Sequence, residues 1–147
     1  MTTITDLTQR PPRSVYTRLG GYATLPRMLD KGRAEIAGKN GEYHYNCPLD
    51  QRILEFLGIE AEALKAELAT GKGDGDILNW IKAHQANKHT PAEIEAWVQA
   101  LAKRGPDAES QEFFDGILKA AAPHRTDIAT WADLLDVDDY ASFGGKA

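Results

Sequence analysis

Apolar residues recur along most of the chain at intervals of three or four, the spacing of one face of an α-helix. The first clear helix begins at Thr24 and ends at Gly38, and the second has Cys47 as its N-cap and Gly58 as its stop. The same spacing predicts further helices over 60–70, 76–85, 91–104, 108–122 and 128–135. These segments predict an all-α fold, a single compact bundle of six or seven short helices.

The chain divides into an extended arm at 1–23, a helical body at 24–135 and a C-terminal tail at 136–147. Pro11-Pro12 and Gly20-Gly21 interrupt regular structure in the arm, so the body must hold it in place. Within the body, Gly32 falls on the face of the first helix that carries its apolar residues, which suggests close approach of another backbone. A short extended piece is predicted at 42–45 and a flexible loop at 71–75.

Composition is that of one ordinary domain. The chain has 147 residues, of which 42% are hydrophobic and 27% charged. No apolar run approaches the roughly 20 residues that span a bilayer, so we expect no membrane contact. The first residues carry no apolar segment of secretory type, which predicts a cytoplasmic protein. The single cysteine excludes an internal disulfide.

Charge is distributed unevenly along the chain. Residues 1–39 contain seven Lys and Arg against three acids, a net of +4, whereas residues 40–147 contain ten against nineteen, a net of -9. A basic N-terminal segment docked on an acidic helical body explains this pattern, and a basic cluster that receives an anionic ligand or an acidic protein segment is the alternative. The acidic chain as a whole disfavours nucleic acid.

The same asymmetry predicts that the two ends of the chain meet. The arm carries Arg10, Arg13 and Arg18, and the last predicted helix and the tail carry Asp133, Asp136, Asp138 and Asp139. Exposed ion pairs contribute only about 0–1 kcal/mol each, so packing must also hold the arm. The predicted anchors are Val15, Tyr16, Leu19 and Tyr22, placed near Gly32.

One interpretation of the basic residues is an anion pocket flanked by tyrosines. Arginine supplies forked donors, and tyrosine adds a stacking face and a hydroxyl. The alternative is internal salt bridging to Asp30, Glu35, Asp50 and the acidic C-terminal run. The predicted ligand-binding residues are Arg13, Arg18, Arg27, Lys31, Arg33, Tyr43 and Tyr45.

His44, Cys47 and Asp50 lie three residues apart and are the candidates for catalysis. No further Cys or His pair completes a zinc site, so we predict neither metal nor cofactor. Cys47 at a helix N-terminus with His44 as a base could act as a nucleophile, although a carboxylate at Asp50 in the same turn opposes a thiolate. We therefore favour a non-catalytic binding or regulatory domain over a small enzyme using Cys47 or His44. The oligomeric state is not predictable from these patterns.

Several segments together resemble one known family. They are PPRS, RLGGY, PRMLDKGRAEIAGKNGEYHYNCPLD, LEFLGI and DLLDVDDYASFGGKA. The chain resembles, over almost its full length, the bacterial family catalogued as domain of unknown function 5069. The resemblance implies a small, stand-alone bacterial protein, and it implies no activity, cofactor or catalytic residues.

Overall fold

The computed structural model describes residues 2–147, and this range contains seven α-helices and one short antiparallel hairpin. The all-α prediction is confirmed. The hairpin pairs β1 (Arg18–Leu19) with β2 (Tyr22–Ala23). The helices are α1 (Leu25–Ile36), α2 (Pro48–Leu57), α3 (Ala61–Leu68), α4 (Asp74–His84), α5 (Pro91–Lys103), α6 (Gln111–Ala121) and α7 (Trp131–Ser142).

Helix α1 is the central element, because every residue from Leu25 to Ala34 is buried. Its apolar residues Leu25, Met28 and Leu29 join the main core, which α2, α3 and α4 complete. The same ten residues include four buried charged side chains. Charged groups are rarely buried without partners. The charged side chains of α1 are matched by carboxylates and by one guanidinium group from the elements around it.

Two smaller apolar clusters lie beside the main core. Val15 of the arm and Val98 of α5 share one of them with Ala132 of α7. Phe114 of α6 packs with Ile128 and with Leu134 of α7 in the other. Because α6 and α7 have this cluster of their own, they form a helical hairpin set against helices α1–α5, which are called the body from here on. Space remains between the hairpin and this body.

The N-terminal arm lies on the body, as predicted, and is held by burial and backbone hydrogen bonds. Leu7 and Val15 are each 1% exposed. The Leu7 N–H donates to the Lys39 carbonyl at 2.9 Å, and the Thr24 N–H donates to the Val15 carbonyl at 2.7 Å. Gly20 and Gly21 have φ of 60° and 87°, which a two-residue hairpin turn requires. Of the predicted anchors, Tyr16 is the exception, with 42% of its surface exposed.

The two ends of the chain meet, but not through the predicted arginines. The Ser14 hydroxyl donates to Asp136 at 2.7 Å and the Tyr16 hydroxyl donates to Asp133 at 2.6 Å. These acids belong to α7, which continues to Ser142, so the prediction of a helix ending at 135 and a tail from 136 was wrong. The helix continues because Asp133, Asp136 and Asp139 recur at intervals of three and face the arm and α1.

Three local predictions were also wrong. Residues 42–45 do not form one extended piece, because Glu42 and Tyr45 lie in turns on either side of Tyr43 and His44. Helix α4 begins at Asp74, inside the predicted flexible loop, where its first-turn carboxylate meets two arginines. Gly32 is approached by side chains rather than by backbone: a Cβ there would lie 2.6 Å from a Leu68 methyl group and 3.1 Å from the Tyr45 ring.

Candidate functional site

A cavity of about 840 Å³ lies between the body and the α6–α7 hairpin. We refer to it as the hairpin cavity. Its volume is in the range of roughly 300–1,000 Å³ found for small-molecule sites. One wall is formed by α1 and the segment 41–49, and the other by α7 and the start of α6. The side chains of its two walls and rim include Arg27, Lys31, Tyr43, His44, Cys47, Leu49, Arg104, Phe113, Trp131, Asp138, Asp139 and Phe143.

An ion pair between α1 and α7 joins the two walls of the cavity. The Arg27 guanidinium lies 2.7 Å from an Asp139 oxygen, and their side chains are only 3% and 8% exposed. The Tyr43 hydroxyl donates to the other Asp139 oxygen at 2.8 Å, and the guanidinium lies 5.6 Å from the centre of the Tyr43 ring. Burial, reinforced by the Asp139 charge, raises the pKa of Tyr43, so the hydroxyl stays protonated as a donor.

A second buried pair stands at the start of α2. The Lys31 ammonium is 2.9 Å from one oxygen of the fully buried Asp50 and 3.2 Å from the Cys47 sulfur. That Asp50 oxygen also accepts the Asn46 N–H at 3.0 Å. Cys47 occupies the N-cap position, with Pro48 as the first helical residue, and its side chain makes no capping hydrogen bond. Lys31 thus offsets the Asp50 charge next to the half-buried thiol.

The opposite wall is aromatic and carries fewer paired charges. Trp131 is half-buried, whereas Phe113 is 67% and Phe143 37% exposed. Asp138, on α7, has no side-chain hydrogen bond or ion pair with any residue in 2–147. Burial raises its pKa, and the neighbouring Asp139 adds to the effect. Exposed Arg104 stands at the rim.

A family model described as domain of unknown function (DUF5069) matches residues 9–141 of the 147. The chain belongs to this family. The match covers the arm from residue 9 onward and all seven helices except the last residue of α7, and therefore most of both walls of the cavity. No curated protein matches the chain.

In this DUF5069 protein the predicted basic cluster is divided among several places. Arg27, Lys31 and Tyr43 line the hairpin cavity, together with His44 and Cys47. Arg13 and Arg33 instead share Asp74, at 2.7 and 2.8 Å, and Arg13 also contacts Asp30 at 2.9 Å. Arg18 pairs with Glu95 on the exposed surface of α5. The Tyr45 hydroxyl donates to the Ala61 carbonyl at 2.7 Å. Internal salt bridging, the alternative to an anion pocket, thus accounts for most of these side chains.

Of the three candidate catalytic residues, His44 and Cys47 line one wall of the cavity, whereas Asp50 is fully buried and absent from the lining, so the three form no linked triad. His44 is exposed and makes no side-chain hydrogen bond to any other residue of 2–147, so nothing orients it as a base toward Cys47. In the same range no three His, Cys, Asp or Glu side chains are placed to hold a metal ion. None of the helices described is long and apolar enough to cross a membrane.

Seven of the twelve lining side chains named above were not predicted as site residues: Leu49, Arg104, Phe113, Trp131, Asp138, Asp139 and Phe143. Trp131 has helical spacing with aliphatic residues, a pattern that indicates core packing as readily as a cavity wall. The one available signal was Phe113, because it stands beside Phe114 and a helix in this setting can bury only one of the two adjacent rings.

Proposed function

We propose that this DUF5069 protein is a non-catalytic binding domain that takes a small ligand in the hairpin cavity. The observation that carries the proposal is the combination of about 840 Å³ of space with aromatic walls and a few charged side chains. Small-molecule sites have this composition, since apolar walls supply most of the affinity and a few polar groups orient the ligand. The anion pocket expected from the sequence at Arg27 and Lys31 stays a prediction, although both side chains already have carboxylate partners. Arg104, which was not among its predicted residues, also lines the cavity and has no ion pair within residues 2–147.

A thermal-shift screen tests this proposal. A ligand that binds only the folded protein raises the melting temperature by mass action. We expect stabilising compounds to be small molecules with an apolar body and one charged group. Ser142 lines the cavity and is exposed, so Ser142→Trp should fill part of it without disturbing the core. A stabilising compound should lose its effect on this variant; compounds that stabilise both proteins equally would place binding elsewhere and contradict the proposal.

One observation favours a second function, that of a small enzyme that uses Cys47 as its nucleophile. The Lys31 ammonium lies 3.2 Å from the sulfur, and Cys47 begins a helix. Both features place positive charge beside the sulfur. Lys31 also compensates the negative charge of Asp50, because it contacts that carboxylate directly.

Alkylation by iodoacetamide separates the two functions. An activated Cys47 should react rapidly well below pH 8.5, roughly the pKa of a free thiol. Lys31→Arg keeps the positive charge but moves it, so it should change the rate if the ammonium activates the sulfur. A thiol that reacts only after unfolding would exclude the enzyme and leave the binding domain standing.

A further inference from the structure

The charges of the hairpin cavity are largely cancelled on its body side. Arg27 is paired with Asp139 at 2.7 Å and Lys31 with Asp50 at 2.9 Å, and all four side chains are at least nine-tenths buried. Moving either cation toward a bound anion would leave its own carboxylate unpaired in a buried position. Breaking a buried pair in this way is costly. These two cations are therefore poor receptors for an anionic ligand.

Asp138 is in the opposite situation. Its neighbours on α7 have partners: Asp133 accepts from Tyr16, Asp136 from Ser14 and Asp139 from Arg27. The Asp138 carboxylate has no such partner among residues 2–147, although it is half-buried and lines the cavity. A carboxylate that has lost part of its hydration and gained no donor would be stabilised by a cation brought to it.

The walls beside Asp138 are suited to the rest of such a ligand. Trp131, Phe113 and Phe143 all line the cavity, and the two phenylalanines are among the most exposed large apolar side chains of the protein. Aromatic faces attract ammonium groups within about 6 Å of the ring centre, and they also cover apolar chains. The net charge of -5 adds a long-range attraction for cations.

We propose that the ligand of the hairpin cavity carries a protonated amine on an apolar body, with the amine at Asp138 and the body against Trp131, Phe113 and Phe143. This inference rests on the proposed binding function and specifies the chemical class of its ligand. The competing class is a carboxylate or phosphate bound by Arg104. The amine is favoured because Arg104 is exposed, so water and salt screen its charge, whereas Asp138 is half-buried.

Three probes of similar size and different charge test the assignment: 2-phenylethylamine, 2-phenylethanol and 3-phenylpropionate. Their affinities are measured by isothermal titration calorimetry or by NMR titration. A hydrogen bond to a charged group contributes about 1.5–3 kcal/mol, so the amine should bind roughly tenfold or more tightly than the alcohol. Asp138→Asn should remove this advantage and leave the affinity of the alcohol unchanged.

Two further variants complete the design. Asp115→Asn removes a carboxylate from the exposed surface of α6 and should leave the amine preference intact, which excludes a general effect of net charge. Arg104→Gln tests the competing class, a carboxylate or phosphate ligand, because it removes the guanidinium that would bind it. Asp138→Asn should fold normally, because the carboxylate it replaces has no partner within 2–147, and its melting curve checks this.

The outcomes distinguish the two levels of the proposal. An amine that binds no better than the alcohol, or that is indifferent to Asp138→Asn, overturns the amine assignment while the binding domain stands. Tightest binding by 3-phenylpropionate, lost in Arg104→Gln, assigns the cavity to anions instead. Failure of all three probes to bind overturns the amine assignment and the proposed function together.

Discussion

Removing the Asp139 carboxylate should destabilise the protein more than removing any surface charge. In Asp139→Ala the Arg27 guanidinium, 3% exposed, loses its ion pair, and the Tyr43 hydroxyl loses its acceptor. Among residues 2–147, Arg27 keeps only a 3.3 Å hydrogen bond to the Arg13 carbonyl and its position over the Tyr43 ring. The variant therefore leaves a buried positive charge without a counterion at the junction of α1 and α7.

The size of the effect follows from this geometry. Breaking a buried pair by removing one partner costs about 3–5 kcal/mol, and the contacts that Arg27 retains favour the lower end, about 3 kcal/mol. For a chain of this length 1 kcal/mol shifts the melting temperature by roughly 3 °C, so a decrease of about 10 °C is expected. Replacing both partners by apolar residues, Arg27→Met with Asp139→Leu, should restore much of the loss because neither charge of this pair is then left buried without its partner.

Thermal and urea unfolding followed by circular dichroism measure these differences. Asp127→Ala is the matched control, since it removes a carboxylate paired with Arg125 on the surface, where the side chains are 63% and 39% exposed. That variant should melt close to the wild type. If Asp139→Ala melts as high as Asp127→Ala, the Arg27–Asp139 pair does not hold the α6–α7 hairpin to the body.

Three more results are expected. Gly32→Ala should lower the free energy of unfolding in urea by about 1–3 kcal/mol, because the new Cβ would lie 2.6 Å from a Leu68 methyl group. Gly116→Ala, a helical position where a Cβ would meet no atom of residues 2–147 within 4 Å, should raise it by about 0.5–1 kcal/mol. Equal effects of the two substitutions would refute the close packing at α1. Leu7→Ala should lower the free energy of unfolding by about 2–3 kcal/mol, because the Leu7 side chain is 1% exposed. An unchanged melting temperature would show that the arm is loosely attached. The hydrogen bond and charge of Arg13, followed by those of Arg33, lower the pKa of Asp74 below 3.8, so its contribution to stability is present above that pH and is lost as the pH falls through the lowered value. The stability difference between wild type and Asp74→Asn should therefore be constant from neutral pH to about 4 and shrink below it, and a difference independent of pH would contradict this.

The helices of the body were predictable because their signals are local. Helix spacing placed six of the seven helices close to their observed ranges. The Thr90–Glu93 capping box marks the start of α5 in both sequence and structure. The hairpin was missed although Gly20-Gly21 is a two-residue turn signal. The length of α7 was missed because an acidic run was interpreted as a tail, when its spacing of three indicates one face of a helix.

The site was less predictable because its contacts join distant parts of the chain. Asp30 lies three residues from both Arg27 and Arg33, yet it pairs with Arg13, while Arg27 pairs with Asp139, 112 positions away. Nothing local distinguishes these choices. The cavity also depends on how the α6–α7 hairpin is placed, and the spacing of residues within one helix contains no information on that placement.

The most direct test of the central claim, that the hairpin cavity is a ligand-binding site, is an amide NMR titration with 2-phenylethylamine. The largest shift changes should fall in residues 41–49 and 131–143, which line both walls of the cavity. Amides of α4, whose residues are absent from the lining, should stay in place and serve as an internal control. Saturable changes confined to the two walls are the expected result. Changes centred on α4, or no changes with 2-phenylethylamine, 2-phenylethanol or 3-phenylpropionate at concentrations that saturate weak fragment binding, would contradict the claim.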